Sequence, residues 1–317
     1  MTGATGFVGG AVTRQLCRAS HRVRVLVRPT SDRRNIAALP VELVTGDLTD
    51  RRSLAAGVRS RDALVHVAAD YRLWVRDPSP MRASNVRGTR NLMEAATTAD
   101  VLRIVHTSSV ATLGIPAGKL AEQTLPTDQA EMIGPYAHSK YLAERDVLRM
   151  VADEALPAII VNPSTPVGLG DIKPTPTGRI IVEALAGRVP VYVNTGPTIV
   201  HVDDVAAGNL LAFEKGVIGK GYILGGDNMT LFEILSELAA ATGQRPPYAR
   251  IPARAAFAVA LVEGWSRLAG KEPFVALDSV RMAKKTMFYS SEKVMRVLGY
   301  APRQALNDAI EWFRRSA

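Results

Sequence analysis

Short apolar runs and helical patterns alternate along the first half of the chain. Runs of four or five mostly apolar residues predict buried strands at residues 23–27, 41–44, 63–67, 102–105 and 158–161. Between these runs, the spacing of apolar positions predicts helices at residues 8–19, 51–58, 82–97 and 136–152. Strands that alternate with helices in this way indicate βαβ units, whose right-handed crossovers build a parallel sheet with helices on both faces. We therefore expect an α/β fold with a doubly wound parallel sheet of the Rossmann type.

The second half of the chain has a different pattern. Pro and Gly cluster at residues 162–170 and 173–178, which marks loops. The later elements are a helical stretch at 180–185, a strand-like segment at 198–202 and helical patterns at 230–242, 253–269 and 303–316. We expect these parts to form a smaller, mostly helical substrate-binding domain that closes over the sheet. The predicted division gives residues 1–163 and 197–217 to a dinucleotide-binding domain and residues 164–196 and 218–317 to the substrate-binding domain.

The composition is that of an ordinary globular protein. Hydrophobic residues make up 47% of the 317 residues and charged residues 22%, which argues against a disordered or fibrous chain. The lone Cys17 has no partner for an internal disulfide, so the chain fits a reducing compartment, and we expect a cytoplasmic protein. No apolar run approaches the ~18 residues of a membrane span, and we expect neither a transmembrane segment nor a signal peptide.

The formal net charge of +9 has two interpretations. Basic residues attract anionic partners such as phosphates, nucleic acids or lipid head groups, but they are also typical of a solvated surface. Here they are scattered, and no basic stripe with interleaved aromatic residues predicts a nucleic-acid partner. Residues 253–269 carry an apolar stripe flanked by basic residues. This segment is either a packed helix, which would also suit the lining of an apolar substrate pocket, or a peripheral contact with a membrane surface.

A glycine-rich loop opens the chain. Gly3, Gly6 and Gly9 are spaced three residues apart and directly precede a predicted helix. Glycines at this spacing allow the backbone to approach a pyrophosphate, and the helix N-terminus offers free N–H groups to the phosphate charge. Because the loop stands at the head of a βαβ series, we interpret it as a dinucleotide-binding loop rather than a simple helix cap.

The ends of the next predicted strands carry candidate cofactor contacts. Arg28 stands where an acidic residue would hold the ribose hydroxyls of NAD, and an arginine there suits the 2′-phosphate of NADP. The alternative is an exposed loop arginine. Asp47 is placed to accept a hydrogen bond from the adenine amine, and the small Ala68 and Ala69 leave room for the cofactor. We therefore expect NADP, with NAD as the alternative.

Tyr136 and Lys140 are spaced i, i+4 on a predicted helix, so their side chains share one face. A neighbouring ammonium favours the phenolate, which predicts a lowered pKa for Tyr136 and a role in proton transfer. Thr107, Ser108 and Ser109 follow the strand at 102–105, at the sheet edge where ligands bind. A serine there is placed to hydrogen-bond the substrate oxygen that Tyr136 protonates. Each signal alone is common by chance, but their order behind a glycine-rich loop favours an enzyme site.

Other polar residues have a structural interpretation. Four histidines lie far apart along the chain: His66, His106, His138 and His201. They lack metal-ligand spacing, so we expect packing or strand-end histidines and no metal site. Asp203 and Asp204 are either paired acid/base carboxylates or the first turn of a helix, where carboxylates suit the helix dipole, and we favour the helix.

Together these motifs resemble the extended short-chain dehydrogenases/reductases, the superfamily of nucleotide-sugar epimerases and dihydroflavonol reductases. The resemblance covers nearly the whole chain. The segments that carry it are residues 2–9, 47–48, 66–69, 85–89, 107–109, 136–140, 162–163 and 201–205. Within the superfamily, residues 69–74, 162–168 and 173–179 look like the hopanoid-associated sugar epimerase group.

The resemblance implies the roles of individual residues. Ser109, Tyr136 and Lys140 would be the catalytic trio, with Tyr136 exchanging the proton and Lys140 binding the nicotinamide ribose. Asn85 would support Lys140 through backbone and water. The implied cofactor contacts are Gly3, Thr5, Gly6, Phe7, Val8, Gly9, Arg28, Asp47, Leu48, Ala68, Ala69, Asn85, Thr107, Tyr136, Lys140 and Pro163. The resemblance also implies a small-molecule substrate and a homodimer.

Two departures from the family pattern bear on the reaction. Val110-Ala111 stand where the dehydratases carry an Asp-Glu pair, which argues against elimination of water. Thr198-Ile199 stand where many nucleotide-sugar enzymes carry an Arg-Asp pair. This difference weakens the hypothesis of a nucleotide-diphosphate substrate and leaves room for a lipophilic one.

We therefore expect an NADP-preferring oxidoreductase or epimerase that transfers hydride at a secondary alcohol or ketone, and the resemblance points to a hopanoid-associated sugar epimerase. The alternatives are a ketone reductase like the dihydroflavonol reductases and a 3-beta-hydroxysteroid-type dehydrogenase with a lipophilic substrate. A non-enzymatic NADP sensor is a further alternative, against which the complete set of Ser109, Tyr136 and Lys140 argues.

The start of the chain conflicts with the expected sheet. A Rossmann-type fold needs a central strand before its glycine-rich loop, and only Met1 and Thr2 precede Gly3. Two residues do not span a strand of ~5–6 residues, so backbone groups of the neighbouring strands would lack partners, at ~1–3 kcal/mol each. We therefore expect the sequence to be N-terminally short by about one strand.

Overall fold

The computed structural model describes residues 1–114, 128–252, 254–255 and 277–316. In this part of the chain the helices are α1 Phe7–Arg18, α2 Arg51–Val58, α3 Ser79–Arg82, α4 Thr89–Thr98, α5 Gly134–Glu154, α6 Pro176–Leu185, α7 Val202–Lys215, α8 Leu231–Thr242, α9 Leu277–Met282, α10 Glu292–Leu298 and α11 Leu306–Ser316. The strands are β1 Val23–Val27, β2 Val41–Thr45, β3 Ala63–His66, β4 Arg103–Thr107, β5 Ala158–Pro163, β6 Thr165–Val167, β7 Val191–Val193, β8 Gly196–His201, β9 Gly221–Leu224, β10 Asp227–Asn228, β11 Ala249–Ile251 and β12 Thr286–Met287.

The predicted strands and helices of the first half are confirmed to within a few residues, with one difference. The predicted helix at 82–97 is divided, because Ala83–Gly88 form a wider π-helical turn between α3 and α4. This turn carries Asn85, whose side chain belongs to the site described below. The predicted helix at 253–269 lies, apart from residues 254–255, outside the described residues, and so does the membrane-surface hypothesis attached to it. No described helix is long and apolar enough to cross a membrane.

The larger sheet is parallel. β2 pairs with β1, and β3, β4, β5 and β9 pair in that order. Thr2 bridges the two groups through parallel pairing with Leu26 of β1 and His66 of β3. The resulting order, β2-β1-Thr2-β3-β4-β5-β9, with helices on both faces, is the predicted Rossmann-like architecture.

The backbone of Met1 and Thr2 supplies the pairing between β1 and β3. The Leu26 N–H donates to the Met1 carbonyl (2.9 Å), and the Thr2 N–H donates to the Val65 carbonyl (3.1 Å). Two strands are therefore joined at the edge where the glycine-rich loop begins. The expectation of a short N-terminus stays a prediction.

Each face of the larger sheet packs on helices through its own hydrophobic cluster. The cluster under α1 and α7 includes Val12, Val25, Val105 and Val205. The cluster under α2, α4 and α5 includes Leu54, Leu92, Ile104 and Val147. Because successive residues of a strand point to opposite faces, neighbouring residues of β4 enter different clusters. The same alternation turns Thr107 toward α7, where its Oγ1 donates to Asn209 Oδ1 (2.9 Å).

A smaller sheet and a third cluster occupy the second half of the chain. β8 pairs with β6, β10 and β12, and the adjoining cluster joins α6, α8 and α11 through residues such as Ile181, Leu235 and Ile310. The division into two domains stays a prediction. Strand pairing crosses its boundaries twice, since β9 belongs to the larger sheet and β8 to the smaller one. Hydrogen bonds between strands distant in sequence decide both placements.

Asp203 and Asp204 lie in the first turn of α7, which confirms the favoured interpretation. Asp203 forms an ion pair with Arg14 of α1 (3.1 Å). Asp204 accepts hydrogen bonds from the backbone N–H (2.8 Å) and the Nε–H (2.9 Å) of Arg303. The nitrogen Nδ1 of His201 accepts from the Asp203 N–H (3.1 Å) and so caps the helix. The segment therefore fastens α7 to α1 and to the chain that leads into α11.

Candidate active site

The glycine-rich loop lies at the carboxyl edge of the larger sheet, in contact with the end of β3. Gly3 has a φ of +74°, and a Cβ there would lie 2.5 Å from the Ala68 nitrogen. A Cβ on Gly9 would lie 1.9 Å from the Gly3 carbonyl oxygen. The fold itself therefore requires glycine at both positions, because the loop, the strand end and α1 pack in direct contact.

Gly6 is a different case. It is exposed, and a Cβ there would meet only the Gly3 carbonyl oxygen, at an ordinary contact distance of 3.4 Å. The packing of the described residues thus does not require glycine here, and the backbone at Gly6 is open to close approach by a ligand. Gly6 is the N-cap of α1, and no side chain caps the helix or places an acidic group in its first turn. The N–H groups of Phe7, Val8 and Gly9 therefore suit an anionic pyrophosphate.

Asn35 is a residue of this region that the sequence analysis missed. Its Nδ2 lies 3.4 and 3.3 Å from the carbonyl oxygens of Thr5 and Gly6, and it donates to the Gly170 carbonyl (3.1 Å). A Cβ on Gly10 would lie 2.9 Å from the Asn35 Cβ. Asn35 therefore ties the glycine-rich loop to the loop that follows β6. The sequence signal was weak, because the glycines that make room for Asn35 lie far apart in the chain.

Arg28 directly follows β1, and Asp47 lies two residues after the end of β2. Arg28 is exposed. Asp47 Oδ1 accepts hydrogen bonds from the N–H (2.9 Å) and the Oγ1 (2.6 Å) of Thr49. These bonds lower the pKa of Asp47, and the Arg28 charge lowers it further. The Leu48 side chain is buried in the cluster under α2 and α4, so only its backbone is available to a cofactor.

Asn85 holds the loop after β3 against α5. Its Oδ1 accepts from the Asp70 N–H (2.7 Å), and its Nδ2 donates to the Asp70 carbonyl (2.8 Å) and to Ser139 Oγ (2.9 Å). Both N–H groups of the amide are thus committed within the protein. Asn85 thus contacts Ser139, the neighbour of Lys140, and the support of Lys140 through backbone and water that the resemblance implies stays a prediction. The half-buried Ala68 and Ala69 lie at the start of the same loop.

The structure brings Ser109, Tyr136 and Lys140 together. Ser109 follows β4, and its Oγ accepts from the Ala111 N–H (3.1 Å), which holds the serine in a tight turn. A side-chain hydrogen bond joins Ser109 to Tyr136 in the first turn of α5. One turn later, Lys140 is 3% exposed, and its Nζ donates to the Thr107 carbonyl (2.7 Å). A hydroxyl, a phenol and an ammonium therefore meet at the carboxyl edge of β4.

Burial governs the pKa values of these groups. It lowers the pKa of Lys140 to about 8, against the opposing effect of the Glu144 carboxylate. It raises the pKa of Tyr136, against the opposing effect of the Ser109 hydrogen bond. The expectation that Lys140 lowers the pKa of Tyr136 is therefore wrong in direction. Loss of hydration outweighs the hydrogen bond, and the ammonium is directed to a backbone carbonyl.

Two buried hydroxyls at the same edge have no hydrogen-bond partner among the described residues. They are Ser108 Oγ, next to Thr107 at the end of β4, and Ser164 Oγ, next to Pro163 at the end of β5. Leaving a buried hydroxyl unpaired costs ~1–3 kcal/mol, so both atoms suit a ligand that carries polar groups. Together with Gly6 and the uncapped start of α1, they fit a dinucleotide that lies along this edge.

A model of the NAD dependent epimerase/dehydratase family matches residues 1–225, which include the whole larger sheet. The chain belongs to this family. It is accordingly an NAD(P)-dependent oxidoreductase of the extended short-chain dehydrogenase/reductase type that acts on a small molecule.

Similar proteins extend the family assignment over the whole chain. The chain is 41% identical to a putative dihydroflavonol 4-reductase of Synechocystis sp., with 99% of this chain and 94% of that protein covered. It is 33% identical to sterol demethylase protein B of Methylococcus capsulatus, with 99% and 97% covered. The crystal structure of gox2253 superposes with a TM-score of 0.90 at 52% identity, covering 100% of this chain and 97% of that one.

In this member of the epimerase/dehydratase family, two histidines lie beneath the site. His66 and His106 are buried at the ends of β3 and β4, with ring centroids 5.2 Å apart. His66 Nδ1 lies 2.7 Å from Thr2 Oγ1, and its Nε2 lies 2.9 Å from Thr89 Oγ1. These are packing contacts at strand ends, as predicted. Within residues 1–114, 128–252, 254–255 and 277–316, no group of three or more His, Cys, Asp or Glu is placed to hold a metal ion.

Proposed function

We propose that this protein is an NADP-preferring oxidoreductase that transfers hydride at a ketone or secondary alcohol of a lipophilic small molecule. The observation that carries the proposal is the grouping of the half-buried Ser109 and Tyr136 with the buried Lys140, in which a neutral phenol meets a hydroxyl and an ammonium. The nicotinamide cofactor supplies or accepts the hydride when bound. The protein's own groups must then orient the substrate oxygen and move its proton.

Tyr136 donates the proton to the ketone oxygen in the reductive direction. Because burial raises its pKa, the phenol is protonated near neutral pH and is a proton donor at rest. The Ser109 hydroxyl, which is hydrogen-bonded to Tyr136, orients the substrate oxygen beside the phenol. The Lys140 ammonium, fixed by the Thr107 carbonyl one helical turn from Tyr136, binds the nicotinamide ribose in this proposal.

The preference for NADP rests on Arg28. It directly follows β1, at the place where a carboxylate would bind ribose hydroxyls and repel a 2′-phosphate. The next acidic residue along the chain, Asp32, pairs with Arg34 at 2.6 Å. Its charge is therefore already balanced within the loop, and Arg28 is left to meet the phosphate.

Exposed apolar side chains support a lipophilic substrate. Tyr71, in the loop after β3, is 43% exposed, and Leu169, after β6, and Ile180, in α6, are each 42% exposed. Burial raises the pKa of Tyr71, Asp171 raises it further and Arg179 opposes both, which places Tyr71 next to the start of α6. The names of the relatives refer to a dihydroflavonol and a sterol, both uncharged ring compounds.

The two residues that argue against a nucleotide-diphosphate substrate are buried. Thr198 and Ile199 lie inside β8, where Thr198 Oγ1 bonds to Asn228 and Ile199 enters the third hydrophobic cluster. Neither residue offers a charged side chain to a ligand. This arrangement favours an uncharged substrate over a sugar nucleotide.

A hopanoid-associated sugar epimerase is the second candidate. Two of the segments that resemble that group, residues 69–74 and 173–179, face each other through Tyr71 and Arg179. An epimerase of a lipid-linked sugar would use the same pocket but would restore its cofactor in every cycle. The homodimer and the cytoplasmic location stay predictions.

The stoichiometry of the cofactor decides between the two candidates. Purified protein and a nicotinamide cofactor are mixed with one candidate substrate in each of several parallel reactions. The candidate substrates are dihydroflavonols, ketosteroids, lipid-linked sugars and nucleotide sugars. We expect one NADPH to be oxidised for each alcohol formed from a lipophilic ketone, and NADH to be used less well. In parallel reactions of the sugars with NADP⁺, formation of a sugar epimer without net reduction of the cofactor would instead establish the epimerase, because an epimerase first takes a hydride from the sugar and then returns it. Tyr136→Phe, assayed in parallel, reports activity from contaminating reductases.

A further inference from the structure

Glu144 is a carboxylate of α5 that the site described above does not use. Tyr136, Lys140 and Glu144 are spaced i, i+4 and i+8 and so follow one face of the helix. Glu144 Oε2 accepts hydrogen bonds from Thr112 Oγ1 (2.9 Å) and from Asn162 Nδ2 (2.9 Å). One carboxylate oxygen therefore joins the helix that carries the phenol to the turn after β4 and to the end of β5.

Both partners of Glu144 also hold the Ser109 backbone. The Ser109 carbonyl oxygen lies 3.1 Å from the Thr112 nitrogen, 2.8 Å from Thr112 Oγ1 and 3.2 Å from Asn162 Nδ2. The Thr112 hydroxyl has a single proton, and the carboxylate is a stronger acceptor than the carbonyl. Glu144 therefore draws this hydroxyl toward α5, while the amide of Asn162 bridges the carboxylate and the Ser109 carbonyl.

The cluster lies in the protein interior. Thr112 and Asn162 are buried, so their donors depend on partners within the chain. Removing the carboxylate would take one acceptor from each donor and leave the Thr112 hydroxyl to the Ser109 carbonyl alone, so the turn that carries Ser109 would lose its link to α5 and be held less firmly. The position of the Ser109 hydroxyl relative to Tyr136 follows from this turn.

The charge of Glu144 also acts on Lys140. Burial lowers the pKa of Lys140, and Glu144 is the acidic group that opposes this effect. The other titratable groups that face Lys140 are Tyr136 on the same helix and His66 and His106 on β3 and β4. Burial raises the pKa of the phenol and lowers the pKa of both imidazoles, so all three are neutral near pH 7.

We infer that Glu144 is a positioning residue, which orders the Ser109 turn through Thr112 and Asn162 and sets a negative charge one helical turn beyond Lys140. This inference rests on the proposed roles of Ser109 and Lys140. Glu144 does not touch the reacting atoms in this account, and it acts through its hydrogen bonds and its charge.

Two substitutions separate these effects. Glu144→Gln keeps an acceptor oxygen for Thr112 and Asn162 but removes the charge, whereas Glu144→Ala removes both. Glu154→Gln is the matched control, because it makes the same charge change at the exposed end of α5. We expect Glu144→Ala to lower kcat by about 10–100-fold through misplacement of Ser109, and Glu144→Gln to keep kcat near pH 7 within about threefold.

The pH profile reports the charge. If the Lys140 ammonium is required, the alkaline limb of kcat should move to lower pH by about one unit in both Glu144 variants and stay in place in Glu154→Gln. A purely structural carboxylate would leave the limb where it is in the folded Glu144→Gln variant. That result would overturn the electrostatic part of the inference.

Amide hydrogen exchange tests the positioning part without any substrate. Exchange at the Ala111 and Thr112 amides should be faster than in the wild type in Glu144→Ala and equal to the wild type in Glu144→Gln. Wild-type exchange rates in both variants would overturn the inference that Glu144 orders the Ser109 turn. If Glu144→Ala does not fold, Thr112→Val replaces it, since it removes one of the two donors to Glu144. If the wild type transfers no hydride, the proposed function is refuted. The exchange data would still test whether Glu144 orders the Ser109 turn.

Discussion

The Nζ of Lys140 lies 2.7 Å from the carbonyl oxygen of Thr107, the last residue of β4. This bond fixes a buried ammonium between the first half of α5 and the end of β4. Ser109 follows Thr107 by two residues, and Tyr136 precedes Lys140 by one helical turn. The contact therefore sets the distance between the two segments that supply the hydroxyl and the phenol.

Tyr136→Phe should reduce turnover by roughly 10²–10⁴, the range for loss of a positioned proton donor. Binding of NADPH, measured by its fluorescence, should change little, because the substitution removes one oxygen and leaves α5 intact. Tyr141→Phe makes the same change one helix position beyond Lys140 and is the control. Turnover near the wild-type level in Tyr136→Phe would exclude the phenol from the reaction.

Arg28→Asp should reverse the cofactor preference. A carboxylate at the end of β1 would bind the ribose hydroxyls of NADH and repel the 2′-phosphate of NADPH. The dissociation constants of both cofactors, measured for the wild type and the variant, test this. Arg18→Asp carries the same charge change on the exposed end of α1 and should leave the ratio of the constants unchanged. A wild type that already prefers NADH would contradict the assignment of Arg28.

His66 should make the protein less stable in mild acid. Burial, and next the Lys140 charge, lower its pKa from 6.5 to about 3, so the folded protein holds the imidazole neutral while the unfolded chain takes up a proton below pH 6.5. The stabilising contribution of the neutral His66 imidazole is thus fully present above pH 6.5 and is lost progressively as the pH falls toward 3. Between pH 7 and pH 5 the loss should be about 2 kcal/mol.

Urea unfolding at both pH values measures this loss. His66→Gln keeps one donor for Thr89 and one acceptor for Thr2 but does not titrate, so its free energy of unfolding should fall by about 2 kcal/mol less than that of the wild type over the same interval. Equal pH dependence of the two proteins would show that His66 does not account for the effect.

Asn35→Ala should weaken cofactor binding by about tenfold. The side chain fastens the glycine-rich loop to Gly170, and its loss removes hydrogen bonds that hold the loop in the shape required by a pyrophosphate. Titration of NADPH fluorescence checks the affinity, and Asn307→Ala, at an exposed position of α11, is the control. Unchanged affinity would mean that the loop keeps its shape without this link.

The sequence was sufficient for features that depend on neighbouring residues. The strands and helices before residue 163 follow from apolar spacing, and the shared face of Tyr136 and Lys140 follows from helix geometry alone. The requirement for glycine at Gly9 also follows from the loop itself, because a Cβ there would meet the Gly3 carbonyl oxygen.

The features that the sequence missed depend on contacts between distant segments. Asn35 meets Gly170, 135 residues away, and β9 enters the larger sheet through hydrogen bonds to β5. The pKa of Tyr136 was expected to fall because Lys140 is nearby in sequence, but it rises because the fold removes part of the hydration of the half-buried phenol. Burial of this kind follows from the packing of several elements and has no local pattern.

Deuterium transfer tests the central claim most directly. NADPH that carries deuterium at the transferred position of the nicotinamide, prepared separately for each face of the ring, is mixed with the protein and a lipophilic ketone that it turns over. The mass of the alcohol is then measured. The account predicts one deuterium in the product from one of the two labelled cofactors and none from the other. An alcohol that forms without deuterium from either cofactor would contradict hydride transfer by this protein.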